Sequence, residues 1–472
     1  MIAALVLTFH VLGFLSSVHA VMTTRTEQGA IAWAISLNTI PYVAVPAYWI
    51  LGRSRFQGYV TSRRGEDATL RPVAKGAADE VRDYIMDVAE VQQPRVALAA
   101  KKLAEIPYLR GNGVELLIDG EATFASILDG IARARESVLF QFFIVHDDEI
   151  GRAVQAALIE RAKAGVRVWF LYDEVGSHKL PRRYLDELRA AGVRVSAFNA
   201  RKGLMNQFQL NFRNHRKIVV VDGREAWIGG HNVGDEYLGK DPKFGRWRDT
   251  HVRIEGPAAL AAQLSFVEDW NWATDEIPDL SWTPRTSADA DIPVLILPTG
   301  PADELETANL MFVQAIEAAQ ERIWIASPYF VPDRPIVTAL QLAGLRGVDV
   351  RILIPDMPDH LLVYLAAFSY FEPAGATGVR FFRYTDGFLH EKAVLLDDRA
   401  GAVGTANFDN RSFRLNFEVT AVIQDSAFAR EMEAMFEADF ANAREVDRFE
   451  LQKRPWWFRF AVRLAALTSP IQ

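Results

Sequence analysis

The sequence predicts an α/β protein built from two tandem α/β/α units with pseudo-twofold symmetry, preceded by two transmembrane helices. Three observations predict it. A strand–helix–strand pattern occurs twice, a set of polar residues recurs at fixed spacing in each copy, and two long N-terminal stretches carry no charge.

The N-terminal stretches come first along the chain. No Lys, Arg, Asp or Glu occurs from Met1 to Thr24, or again from Gln28 to Gly52. Each stretch supplies roughly 20 apolar helical residues, enough to cross a hydrocarbon core of about 30 Å. Pro41 and Pro46 interrupt the second, and membrane helices tolerate proline better than soluble ones. The competing reading of the first stretch is a cleaved signal peptide, but a positive leading region is missing. The loop between the stretches holds Arg25 and Glu27, whereas Arg53, Arg55, Arg63 and Arg64 follow the second. The positive-inside rule therefore puts everything after residue 52 in the cytoplasm, whether or not the first stretch is cleaved. The divisions expected are a membrane anchor at 1–52, a juxtamembrane linker at 53–110, domains at 111–285 and 286–450, and an end segment at 451–472.

The two units read as copies of one another. The run from Glu136 to Asp148 matches the run from Glu321 to Asp333: a Glu, a β-rich stretch, then an Asp twelve residues later. A helical stretch follows in each, ending at Ala164-Gly165 or Arg346-Gly347. Next come apolar strands, Val166 to Asp173 and Val348 to Asp356. Strand, helix and strand with continuous apolar strands make a βαβ unit in a parallel-rich, buried sheet. A repeat this long means two domain-sized halves rather than a solenoid. The Pro and Asp cluster from Asp275 to Asp291 marks the boundary.

One constellation appears in each half. His215, Lys217, Asp222 and Asn232 stand at the same spacing as His390, Lys392, Asp397 and Asn407. On a strand, residues two apart share a face, so each His projects beside its Lys. Each Asp falls on the other face or in the following turn. Val221-Asp222-Gly223 reads as a hairpin turn, so this carboxylate is better placed to brace the turn than to touch substrate. Neutral imidazole attacks phosphorus or moves protons near neutral pH, lysine supplies positive charge, and asparagine donates to phosphoryl oxygens. Two facing copies would supply one histidine for attack and one to protonate the leaving alcohol, with no metal or other cofactor. A lone strand histidine is more often structural, and the duplication is what reverses that reading. Zinc held by His215, His231 and His251 is the other alternative, and the neighbouring lysines and arginines repel a cation.

Composition narrows the rest. Of 472 residues 50% are hydrophobic and 24% charged, with mean hydropathy +0.01, which excludes a disordered or collagen-like chain. There are no cysteines, so disulfides, thiolate metal sites and cysteine nucleophiles are excluded. The net charge of −8 argues against broad nucleic-acid binding. Within that acidic total, Arg201 to Arg253 holds 11 Lys/Arg against 6 Asp/Glu, a basic tract suited to an anionic headgroup or simply a solvated surface. His360 to Phe371 reads as a core helix or the lining of an acyl groove. Trp456 to Leu464 alternates aromatics with arginines, as interfacial helices do.

The paired motifs, each followed by a glycine-led segment ending in Asn, resemble those of the phospholipase D superfamily. The finer resemblance is to bacterial cardiolipin synthases. It is carried by Asn214 to Lys217, Gly229 to Tyr237, Trp247 to Thr250, Ser327 to Asp333, Gly387 to His390 and Leu415 to Glu418. Two departures stand out: Phe142-Phe143 where tyrosines are frequent, and Glu391 where a small residue is usual. Strand alternation points Glu391 away from the site, with little effect expected. The resemblance implies phospholipase D-like domains in a bacterial inner membrane, facing the cytoplasm. It implies transfer of a phosphatidyl group from one phosphatidylglycerol to another, giving cardiolipin and glycerol. His215 would attack and His390 serve as acid and base, with the reverse assignment open. Lys217, Lys392, Asn232 and Asn407 would hold the phosphodiester, and Glu418 and Asp249 would orient the imidazoles. Hydrolysis or transfer to another alcohol by the same site remains open, as does a membrane-tethered nuclease or a catalytically silent scaffold. Two intact motifs and two anchors argue against the last pair.

Overall fold

The computed structural model describes residues 2–24, 27–52, 70–87, 94–104, 106–198 and 212–472. Arg25, Arg53, Arg55, Arg63, Arg64, Arg201 and Lys202 lie outside them.

Runs of β-branched and aromatic residues such as Ile218–Val221 and Ser137–Phe142 are buried along their whole length, which requires cover on both faces. One long mixed sheet results. In the first half the order is Arg194–Phe198, Arg167–Asp173, Ser137–Phe142, Ile218–Val221, Glu225–Gly229, Thr250–Glu255 and Leu109–Ile118. The second half repeats this with Arg380–Tyr384, Asp349–Pro355, Arg322–Ala326, Ala393–Leu396, Ala400–Gly404, Asn416–Ile423 and Ile292–Thr299. The halves join where Leu109–Ile118 runs antiparallel to Ile292–Thr299. Along this order only the three outer strands in each half pair in parallel and the rest are antiparallel, while Arg213–Asn214, off the order, adds one short parallel pairing to Asn416–Ile423. The sheet is thus less parallel than its apolar strands suggested, because after the βαβ crossovers the chain returns through hairpins.

Helices Ala258–Thr274 and Ser426–Ala441 cover one face of the sheet and share a hydrophobic core spanning both halves. Asp119–Arg133, Glu149–Lys163 and Arg182–Ala190 cover the other face in the first half. Thr307–Ala318, Arg334–Leu345 and Leu361–Gly375 do so in the second. His360 to Phe371 therefore lies mainly in a core helix, although Leu361 and Leu362 at its start are exposed.

Several residues that repeat in the sequence serve this scaffold. Asp148 and Asp333 are helix N-caps, accepting from the N–H of Gly151 and of Ile336. Gly165 and Gly347 terminate those helices in left-handed conformation, at φ +91° and +85°. Asp222 sits in a hairpin turn with Gly223, both left-handed, and its carboxylate accepts from the N–H groups of Arg135, Glu136 and Ser137. Asp397 accepts likewise from Gln320, Glu321 and Arg322. Each motif aspartate ties its turn to the start of a central strand, at the far end of the hairpin from the histidine.

At the N-terminus, Ile2–Thr23 is one continuous helix, long and apolar enough to cross a membrane. The second stretch is not continuous. It divides into Glu27–Thr39 and Pro41–Leu51, because Pro41 has no N–H to carry the helix through Ile40. Among the described residues one helix, not two, meets the length and composition needed for a span. The described parts of the linker are more than a spacer. Leu70 joins the shared core, and Ala100 and Ala104 pack with Met311 of Thr307–Ala318.

Asp222→Ala should leave three backbone donors without their acceptor and place alanine in a left-handed turn. The expected loss is about 1–3 kcal/mol, read as a lower unfolding midpoint, whereas Asp222→Asn should keep most of the stability. An unchanged midpoint in Asp222→Ala would show that the turn is not braced in this way.

Candidate active site

The H-x-K tripeptides do not lie within regular strands, as spacing had suggested. Each sits where the chain changes partner. Arg213–Asn214 pairs in parallel with Asn416 and Phe417 of the other half, and only from Ile218 does the chain join its own half's sheet. Phe388–Leu389 pairs likewise with Trp247–Arg248 before the chain rejoins its own half at Ala393. His215 donates its N–H to the Phe417 carbonyl, and His390 donates to that of Arg248, at 2.9 and 2.8 Å. Those carbonyls immediately precede Glu418 and Asp249.

The side chains follow the backbone across. His215 Nδ1 lies 2.9 Å from Glu418, and His390 Nδ1 lies 2.7 Å from Asp249. Each imidazole is therefore oriented by a carboxylate of the opposite half. An ionised carboxylate can only accept, so Nδ1 carries the proton and Nε2 keeps its lone pair for chemistry. Glu418 is fixed by the Thr405 and Ser412 hydroxyls at 2.6 and 2.9 Å and by Asn416 at 3.1 Å. Asp249 accepts from the Thr250 N–H at 2.8 Å.

Charge is concentrated here. Lys217 Nζ donates to the His215 carbonyl at 2.7 Å, and Lys392 donates to that of His390. Lys392 Nζ also lies 2.8 Å from His390 Nδ1, whose proton is claimed by Asp249. Burial pulls His215 down to about 4, aided by both lysines and opposed by Glu418. Burial and Lys392 bring His390 to about 3 against the pull of Asp249. Burial likewise lowers Lys217 to about 7 and Lys392 to about 8. It would raise Asp249, but Lys392, His231 and His390 outweigh it and hold this carboxyl well below the usual range. Glu418 is lowered by His215 and Lys217 in the same contest with burial. Both histidines are thus neutral at neutral pH, between two ionised carboxylates and two lysines.

The asparagines flank this cluster differently. Asn232 accepts from the Ile144 N–H and donates to Tyr237 Oη, both at 3.1 Å, leaving one amide hydrogen. Asn407 Oδ1 is buried and finds no partner among the described residues. Asp222 and Asp397 are not part of the cluster. Sequence reasoning missed the aromatic walls: Phe143 meets His215 edge-on at 4.9 Å, and Trp247 lies 5.2 Å from His390. Phe142 is in the core.

Two guanidiniums were missed as well. Arg216 forms an ion pair with Asp269, both without exposure, and donates to the Glu418 carbonyl. Arg248 pairs with Asp439 and Glu391 and donates to the Asp249 carbonyl. Glu391 is therefore not the neutral bystander expected: it faces away from the site but is fully buried against the arginine that precedes Asp249. Elsewhere in the basic tract, partly exposed ion pairs join Arg224 to Glu255, Lys240 to Glu149 and Arg253 to Glu225.

His215, His231 and His251 do not converge as zinc ligands. His231 and His251 face one another through Nδ1 at 3.0 Å, whereas His215 Nδ1 is turned to Glu418. His146, Asp148 and Glu236 approach within 4.8 Å. Asp148 is already occupied by the N–H groups of Gly151 and Asp235, so that group braces a loop.

The family described as cardiolipin synthase, phospholipase D-like domain, matches residues 127–264 and 312–440, one match per half. Cardiolipin synthase A of Pseudomonas fluorescens is 49% identical over 474 residues, covering 100% of this chain and 98% of that protein. The chain belongs to the cardiolipin synthase family. The Pseudomonas aeruginosa protein of the same name is 48% identical over 470 residues, 99% of this chain and 95% of its own length. Among solved structures, phosphatidylserine synthase of Haemophilus influenzae has the same fold, with TM-score 0.61 at 16% identity over 80% of this chain and all of that one. Family membership makes the chain a phosphatidyltransferase forming cardiolipin, and its substrates are phospholipids.

A Cβ on Gly230 would fall 2.0 Å from Asp249 Oδ1, so Gly230→Ala should displace Asp249 from His390. A loss of about 100-fold in kcat is expected, and near wild-type kcat would show that Asp249 does not orient that ring. The lysines are charged below their pKa values, so rising pH through about 7 and 8 removes positive charge from the cluster. kcat/KM should fall on that alkaline limb, with kcat falling later because a bound anion raises both lysines. A profile flat to about pH 9 would contradict this.

Proposed function

We propose that His215 and His390 carry a two-step phosphatidyl transfer between two phosphatidylglycerol molecules. The observation supporting it is the crosswise pairing, which prepares two imidazoles in the same tautomer at one site. His215 is assigned to attack, as the first motif is in the superfamily it resembles. Its Nε2 forms a bond to phosphorus as the bond to the glycerol oxygen breaks. The departing oxygen takes a proton from His390, which binding of the anionic phosphodiester has favoured in protonated form. A second phosphatidylglycerol then gives its hydroxyl proton to neutral His390. Its oxygen displaces His215 from phosphorus, cardiolipin forms, and both imidazoles return to their starting state.

Lys217, Lys392 and the free amide hydrogens of Asn232 and Asn407 hold the phosphoryl oxygens, where charge grows in the transition state. Phe143 and Trp247 crowd the two rings, which are each 8% exposed, and this favours an alcohol acceptor over water. The two N-terminal stretches are read as a hairpin of spans, the second kinked at Pro41, with the tandem domains on the cytoplasmic side of a bacterial inner membrane. The packing of the broken second stretch against the first, through His19 to Tyr48 and Trp49 to Ser16, supports that reading.

Membranes carrying the protein, given labelled phosphatidylglycerol, should yield cardiolipin and glycerol. Phosphatidic acid alone would point to a hydrolase. His215→Ala should abolish the covalent lipid adduct, and His390→Ala should let it accumulate. The opposite pattern would exchange the two roles.

A further inference from the structure

The C-terminal helix Trp456–Leu467 has two apolar faces, and the molecule covers only one. Phe458 packs on Phe368 with ring centroids 5.2 Å apart, and Val462 and Ala465 are buried among Leu361–Gly375 and its neighbours. On the other face Trp456, Trp457, Phe460, Leu464 and Leu467 are between 49% and 77% exposed. Such a row of large apolar side chains is not left to water without a use. Arg459 and Arg463 stand exposed on the same helix, with no carboxylate partner among the described residues.

This face continues toward the catalytic site. Phe458 meets Phe368, whereas Ala465 clusters with Ala366 and Val331, so Leu464 and Leu467 lie toward the start of Leu361–Gly375. There Leu361 and Leu362 are also exposed. The residues just before them belong to the site's surroundings. Asp359 accepts from Tyr329 Oη, and its charge acts on Lys392 and on Tyr237, which bonds Asn232. An apolar strip flanked by unpaired arginines thus runs to the edge of the phosphodiester site. Indoles and guanidiniums along one helix face match the boundary between acyl chains and anionic headgroups.

We propose that Trp456–Leu467 and the start of Leu361–Gly375 form one surface that lies on a bilayer containing anionic phospholipid, bringing the site's mouth to the headgroups. This deepens the reading above, on which the substrate is a membrane phospholipid. It is a second attachment, separate from the N-terminal helices, and it sets orientation rather than mere residence at the membrane.

The absence of cysteine makes the test direct. The full chain carrying Phe460→Cys or Leu362→Cys is labelled with an environment-sensitive fluorophore and reconstituted in phosphatidylglycerol and phosphatidylcholine vesicles. Asp186→Cys, exposed on Arg182–Ala190, serves as control. Labels at 460 and 362 should shift to the blue, be quenched by spin-labelled acyl chains and be shielded from aqueous iodide, with the control behaving oppositely. Iodide quenching equal to the control would overturn the proposal. Shielding from both quenchers would also overturn it, in favour of a second protein copy on this face. In the Trp456→Ser, Trp457→Ser variant, KM for bilayer phosphatidylglycerol should rise about 10-fold with kcat nearly unchanged, and kcat/KM for a short-chain monomeric analogue should hold. Equal loss on both substrates would count against a docking role. Cardiolipin synthesis by the unsubstituted protein is measured alongside, so failure of the proposed reaction is seen independently of where the labels sit.

Discussion

The candidate site depends on an exchange between the halves: each histidine is held by the carboxylate of the other. His215 takes its orientation from Glu418 and His390 from Asp249, and the backbone on either side makes the same exchange through short parallel pairings. Neither half contains a complete site. A single unit would present a histidine whose Nδ1 lacks its acceptor, and its tautomer would no longer be fixed. The duplication is therefore more than a record of how the chain arose, because the site needs two copies to exist.

Holding charged strands together at the centre of a buried sheet needs compensation, and the two guanidiniums supply it. Arg216 and Arg248 donate to the backbone carbonyls of the orienting residues Glu418 and Asp249, and each ends on an aspartate of a long helix, Arg216 on Asp269 of its own half and Arg248 on Asp439 of the other. Removing one partner of such a buried pair costs about 3–5 kcal/mol, far more than a surface pair is worth. The two halves reach this result by different residues. In the first, the middle residue of the motif is the arginine. In the second, the middle residue is Glu391 and the arginine comes from the partner strand.

These features also explain what the sequence could reveal. The paired motif letters were readable because spacing is repeated twice, and the βαβ units because their strands are apolar without interruption. Other repeated letters were readable as a pattern but not as a purpose. Asp148 and Asp333 are caps, and Asp222 and Asp397 are turn braces, since a local backbone need recurs wherever a unit is duplicated. The crosswise pairing was hidden, because no spacing within one half records which half supplies a partner. Glu391 was misjudged for a related reason. Alternation correctly aimed it away from the site, but the guanidinium waiting there comes from a residue 143 positions earlier. The break at Pro41 turned on whether a neighbouring helix would carry the ladder across, and composition does not hold that information.

Charge accounting links the scaffold to its chemistry. Lys217 and Lys392 offset Glu418 and Asp249, and both imidazoles are neutral, so when both lysines are protonated the cluster has no net charge before substrate arrives. A phosphodiester adds one negative charge to a nearly dry enclosure, where each charge is felt strongly. That charge favours proton uptake by an imidazole whose partner keeps its lone pair. On the proposed mechanism the substrate itself would split the pair into an acid and a nucleophile, giving two nearly equivalent histidines opposite roles. The acidic total of −8 does not describe the charge that faces this cluster, where Lys217 and Lys392 stand beside Glu418 and Asp249.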